Sequence, residues 1–358
     1  MVSRFSVTSS ERRRAWPGRA YGLRPNDGMN RKTYFFFRFL QLAATFLVIL
    51  TLLFFLFRLA LPDPTTALVV EGLSQEEQQL VREKFGLHLP LWQQYGIYLK
   101  NSIFLGEFGT SFHYKAPVAP IVFEKFLNTM VLMVVSILIS YTLGPALGVL
   151  LTWKRGGKLE IGGIVTGLVL RSAPMFWTGM LGVMFFGVYL GWFPTSGMRT
   201  LPFDSTGFLD TIFTLDFLHH LILPAFVVSI YYMGLPMLIM RNTMLEIMGE
   251  DFIELCRAKG LKERVVMYRH AARNALLPVV TQAAITIGLA VGGQVVVEVV
   301  FSWPGLGREM LQAVRTSDYP MAQATFMLMA FMVLVMNFVA DALYGVLDPR
   351  VSIPREGR

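Results

Sequence analysis

Cysteine is almost missing: Cys256 is the only one in 358 residues, so no disulfide can form within the chain. Charge is scarce as well. Charged residues make up 16% of the chain against 54% hydrophobic ones, too apolar for a soluble protein of this size. Histidine stands only at positions 88, 113, 219, 220 and 270, and no pair shows metal-ligand spacing with carboxylates nearby. A phosphate-binding glycine loop and a nucleophile elbow are both lacking. No catalytic, cofactor-binding or metal-binding residues are therefore expected, and an enzyme is not the expected class.

What the chain has in quantity is long apolar runs. Six segments approach or exceed the roughly 20 residues needed to cross about 30 Å of hydrocarbon. They lie near 34–60, 123–153, 160–191, 218–241, 278–301 and 322–347. The expected fold is an all-α polytopic membrane protein with six transmembrane helices.

Net charge is +8, but its distribution argues against nucleic acid. With the N-terminus inside, the inside segments hold 21 Lys or Arg, and the outside segments hold 7 against 11 acidic residues. By the positive-inside rule both termini are expected to be cytoplasmic. The basic excess reads as topology within a lipid bilayer.

Residues 1–33 form a basic tail with Arg12-Arg13-Arg14, expected to be disordered over its first 28 residues; Met29 looks like a start in its own right. The first span, 34–61, is too long for a signal-peptide core and reads as an uncleaved anchor. Its Arg38 and Arg58 can snorkel to opposite surfaces. Residues 62–120 are extracytoplasmic, with a charged helix capped by Ser74 and Glu77. A second helix there carries Trp92, Tyr95 and Leu99 on one face, suited to the headgroup level. Residues 121–350 are the transmembrane core, and 351–358 a cytoplasmic tail.

Polar residues within the core are candidates for the bundle interior or a pathway. Arg171 neighbours Pro174 in the third span and cannot face lipid; it either pairs with an acid or lines a path. Gln294 and Glu298 lie toward the outer end of the glycine-rich fifth span, facing a cavity or another helix. Asn337 and Asp341 stand one turn apart in the last. His219-His220 opens the fourth span, where interfacial solvation outweighs a ligand role.

One stretch between spans is too polar to cross a membrane. Eleven of the 28 residues from Glu246 to Arg273 are charged. Phe252, Leu255 and Cys256 recur at helical spacing, as do Val265, Tyr268 and Ala272. Gly260 falls between them, where a helix commonly ends in a left-handed residue, and Pro278 suits the start of the next span. The expected result is a helical hairpin at 245–277 on the membrane surface.

Glu254 to Gly260, ELCRAKG, followed by RHAARNALLPVV, resembles the EAA loop of ABC importer permeases, above all the dipeptide and oligopeptide branch. The general pattern has alanines at Leu255 and Cys256 and Leu-Pro at Ala272-Arg273; the second departure is expected of a B-type subunit of that branch. GEFGTSF, SWPGLG…DYP and LDPR resemble the same branch, so the likeness covers about residues 34–351. It implies a type I ABC importer permease in the inner membrane. The partners it implies are a second, homologous permease, two cytoplasmic ABC ATPases that hydrolyse the ATP, and an extracytoplasmic solute-binding protein. Dipeptides or oligopeptides are the implied cargo, and relatives carry nickel, glycosides or other small solutes. In the hairpin, Glu254 would make a charge contact with an ATPase, Ala258 and Gly260 would allow close backbone approach, and Leu261 would be an apolar anchor. The rival reading is an ATP-independent secondary transporter or channel. That class would show an internal repeat and paired intramembrane charges, and neither is evident in the sequence.

Overall fold

The structure is a computed structural model that describes residues 31–60, 89–200 and 208–347. The basic tail, the Ser74 and Glu77 cap and the C-terminal tail lie outside the described residues. Helix α1 (Arg31–Phe55) continues into a π-helical turn, Leu56–Ala60. Then come α2 (Leu91–Lys100), α3 (Val118–Trp153), α4 (Lys158–Ser172), α5 (Met175–Gly182) and α6 (Leu215–Ile247). The chain ends in α7 (Asp251–Ala258), α8 (Ala272–Val300), α9 (Leu306–Arg315) and α10 (Tyr319–Leu347). Among the described residues β pairing is confined to one isolated bridge, Thr110 to Pro117.

Four helices among the described residues are long and apolar enough to cross a membrane: Phe35–Arg58, Val118–Trp153, Leu215–Ile247 and Tyr319–Ala342. The segment expected as one span at 160–191 is instead two helical pieces bent by 102°. The cause is local. Pro174 disfavours the helical region for the residue before it, and Ala173 sits at φ −68°, ψ 133°, so α4 stops and Pro174 caps α5. A second expectation also changes. Pro278 does not open a span but lies inside α8, with the helix already running from Ala272.

Helices α3 and α6 form the most extensive pairing among the described residues. The reason lies in GPALG, residues 144–148, a small-xxx-small pattern that the sequence displays plainly. A Cβ on Gly144 would lie 2.9 Å from the Met233 carbonyl oxygen, and one on Gly148 would lie 2.5 Å from that of Met237. Backbones this close permit serine bridges: Ser140 Oγ donates to the Ser229 carbonyl at 3.0 Å, and Ser229 Oγ to that of Ser136 at 3.1 Å. Helix α8 pairs with α10, Gly288 making room for Asn337. Helix α1 rests on α10 through Leu50, Leu53 and Met327 and leaves Phe36, Phe37 and Phe39 exposed.

Candidate functional site

The charged stretch folds as a hairpin. Glu250 is extended at φ −80°, ψ 147°, which ends the α6 turn and lets α7 begin with Asp251 and Glu254 at its positive end. Gly260 terminates α7 at φ 76°. The Leu261 N–H donates to the Cys256 carbonyl at 3.3 Å and the Gly260 N–H to that of Arg257 at 2.9 Å. This is the Schellman arrangement, in which two otherwise unpaired carbonyls are satisfied by a left-handed glycine. The return arm is a short helical turn, Glu263–Val265, then a π-helical turn, Val266–Ala271, leading into α8.

An ion pair closes the hairpin across its turn. Arg257 Nη2 lies 2.9 Å from Glu263 Oε1, and Nε donates to Oε2 at 3.3 Å. The hydrogen bonds from Arg257 hold the Glu263 carboxyl below the usual carboxylate range and raise the guanidinium in turn. The pair is exposed, so it shapes the turn more than it stabilises the protein.

Most of the apolar residues that recur at helical spacing are not the ones the hairpin buries. Ile253, not Phe252 or Leu255, is fully buried in α7, and Cys256 only borders the cluster. In the return arm Val266, Met267 and Ala271 are buried while Tyr268 is exposed. The π-helical turn adds a residue per turn and so rotates Tyr268 outward, against the α-helical spacing assumed from the sequence. Ile253, Val266, Met267 and Ala271 pack with Val149 of α3 and with Met240 and Met244 of α6, fixing the hairpin to two spans. Phe252, Leu255 and Leu261 are left exposed, and Glu254, Ala258 and Gly260 lie on the same exposed hairpin. The four residues singled out from the sequence are all exposed on it.

A second tie anchors this face of the molecule. Arg241, near the end of α6, donates through Nε to Glu160 Oε1 at 2.9 Å, and the Gly156 N–H donates to Glu160 Oε2 at 2.6 Å. Glu160 is buried. The KRGGK turn is thereby locked to the helix that carries the hairpin.

At the opposite end Glu298 is fully buried, and no salt bridge to it is found among the described residues. Thr129 Oγ1 of α3 donates to its Oε1 at 2.6 Å, and the Arg308 N–H of α9 donates to its Oε2 at 2.9 Å. The Leu306 N–H in turn donates to Thr129 Oγ1 at 2.8 Å. Glu298 and Thr129 together cap the first turn of α9 from two other helices. The sequence left Glu298 between a cavity and another helix; the structure decides for the helix.

The GEFGTSF region joins the same end. Asp318 accepts hydrogen bonds from Ser111 Oγ and, at 3.0 Å, from the His113 N–H. Tyr114 donates its hydroxyl proton to Glu309 Oε2 at 3.1 Å; burial and this carboxylate push the phenol up to about 12. His219 and His220 are tethers of a nearby loop, bonded to the carbonyls of Trp192 at 2.7 Å and Gly197 at 3.3 Å.

The other candidate polar residues are not gathered with Glu298. Arg171 is exposed at the end of α4, with no ion pair among the described residues. The Gln294 side chain lies outside the described residues. Asn337 and Asp341 stand on α10, and Asp341 Oδ2 lies 3.5 Å from Arg38 Nη1 of α1. Arg38, read as a lone snorkelling residue, thus has an interhelical partner. Distance along the sequence hid that pairing.

Residues 144–353 match the family described as binding-protein-dependent transport system inner membrane component, and residues 32–143 match that system's membrane component N-terminal family. The oligopeptide transport system permease protein AppB of Bacillus subtilis is 38% identical over 85% of this chain and 94% of its own length. The di/tripeptide transport system permease protein DppB of Pseudomonas aeruginosa is 36% identical, over 88% and 97%. A putative peptide permease protein of Brucella suis is 35% identical, over 86% and 95%. The chain belongs to the binding-protein-dependent transport system inner membrane component family.

Proposed function

We propose that this member of the family is a permease subunit of an ATP-driven, binding-protein-dependent importer of dipeptides or oligopeptides. Family membership and relatives that are named peptide permeases support the peptide reading over the secondary-transporter alternative. The bent pair α4 and α5 serves as one span and α8 as another, giving six with the four long helices. Both termini and the hairpin face the cytoplasm. A second, homologous permease completes the pathway, two ATPases bind below, and a receptor delivers substrate from the other side.

The observation that carries the coupling role is the hairpin itself. It is a rigid element, fixed to α3 and α6 by buried Ile253, Val266 and Met267, and it presents unpartnered Phe252, Leu255 and Leu261 beside Glu254. A displacement of the ATPases is thereby passed to the ends of two spans. Coupling then consists of different contacts at this surface in the two states of the assembly. Arg171, exposed and without a carboxylate partner among the described residues, is assigned to the pathway or the contact with the second permease.

The test is reconstitution of the permease pair with its ATPases and receptor in proteoliposomes. Uptake of labelled di- to oligopeptides that requires both ATP and the receptor is the expected result. Uptake without ATP, or of a non-peptide solute alone, would refute the reading.

A further inference from the structure

We propose that the cleft between α1, α8 and α10 is a headgroup site for a zwitterionic phospholipid bearing a primary ammonium. The cleft has a volume of about 480 Å³, and its polar lining is Arg38, Gln41 and Thr45 of α1 with Asn337 and Asp341 of α10. Leu42, Ile285, Leu334 and Phe338 supply apolar wall. The inference goes beyond the transport reading and rests only on the chain's placement in a membrane.

Depth is the first argument. Arg38 follows the start of α1 at Arg31, and Asp341 precedes the end of α10 at Leu347. At 1.5 Å per residue each lies about 10 Å in from its helix end, at the boundary between headgroups and acyl chains. Both are on the same side of the membrane, the one from which α1 enters and to which α10 returns.

Charge is the second. The cleft holds one cation and one anion, and both stay accessible although paired: the side chains of Arg38 and Asp341 are 37% and 41% exposed. A guanidinium matches phosphate geometry, and a carboxylate accepts hydrogen bonds from a primary ammonium. A purely anionic headgroup would meet Asp341 as a like charge. A quaternary ammonium has no N–H to donate. The zwitterion with a primary ammonium satisfies both ends at once.

Periodicity is the third. Residues 38, 42 and 45 of α1 share one helix face, and residues 334, 338 and 341 of α10 share another. Along each helix the charged residue is nearest the membrane surface, and Leu42 and Leu334 lie deeper. That order, a charged end followed by apolar wall, is the order of a phospholipid.

The experiment uses the assembled transporter in nanodiscs of equal phosphatidylethanolamine and phosphatidylcholine, extracted gently and weighed by native mass spectrometry. The wild type is expected to retain phosphatidylethanolamine in excess. Asp341→Asn should lower that excess about tenfold, the factor set by one charge-assisted hydrogen bond. Arg38→Met with Asp341→Leu replaces the pair by apolar groups of similar bulk, which commonly preserves folding, and should abolish retention of either lipid. No excess in the wild type, or an excess that Asp341→Asn leaves intact, would overturn the proposal. So would a photoreactive side chain at position 45 that cross-links to a neighbouring subunit and never to phospholipid. Peptide uptake is not read in this assay, so its outcome stands apart from that of the transport reading.

Discussion

Glu298 Oε2 accepts the backbone N–H of Arg308 at 2.9 Å, so a side chain of α8 caps the first turn of α9. Thr129 completes the cap from α3, and the Trp303 indole donates to the Asn128 carbonyl at 3.0 Å beside it. Three helices are therefore pinned at one point, at the end of the bundle remote from the hairpin. A Cβ on Gly305 would overlap the Glu298 carboxylate, so SWPGLG is shaped around this buried acid.

Removing that acid is the sharpest test of the pin. Glu298→Ala leaves the Arg308 N–H without its acceptor and the Thr129 hydroxyl with only the Lys125 carbonyl, at a cost of about 2 kcal/mol. Glu298→Gln keeps one acceptor oxygen and should cost less. Thermal unfolding of the purified complex should rank wild type above Gln above Ala. Equal stability of all three would show that the cap contributes nothing.

Gly260 is strained for any other residue by its backbone alone. Its φ is 76°, and no atom lies within 4 Å of the place a Cβ would occupy. Gly260→Ala should cost about 1–2 kcal/mol locally and Gly260→Val more, with normal membrane insertion. Retention of the ATPases on purification and ATP-dependent uptake should fall in the same order. Normal transport by Gly260→Val would remove the hairpin from the coupling role.

The Arg257–Glu263 pair has a defined pH dependence. The Glu263 pKa is depressed in the folded hairpin, so the pair's contribution is fully present above the ordinary glutamate value of about 4.3. It is lost as pH falls through the lower folded value. Hydrogen exchange at residues 257–266, corrected for intrinsic rate, should therefore be flat from about pH 5 to 8 and should rise only in acid. Glu263→Gln should abolish that acid step. A step near neutrality would mean that another group controls the turn.

The proposed orientation rests on the 21 to 7 division of basic residues between the segments assigned to the two faces. In a Cys256→Ser background, a cysteine at Ser205 should react with an impermeant thiol reagent in intact cells. One at Ser352 should react only after the membrane is opened. Reversed labelling would invert the topology and place the hairpin on the wrong side for an ATPase.

The sequence by itself determined the four long apolar helices, the charged hairpin and the glycine that turns it. These are signals carried by neighbours along the chain: runs about 20 residues long, helical spacing, and a glycine beyond a helix end. The GPALG contact was missed, although small residues four apart are a signal of close helix approach that could have found it. Tertiary structure decided what depends on partners distant in the chain. That Ile253 rather than Leu255 turns inward depends on Val149 and Met240 waiting there, and on a π-helical turn that no local periodicity announces. That Arg38 meets Asp341, and Glu298 meets Thr129 and Arg308, depends on how the helices pack against one another. A polar residue in an apolar run declares that it must be satisfied; only the packing of the bundle selects by what.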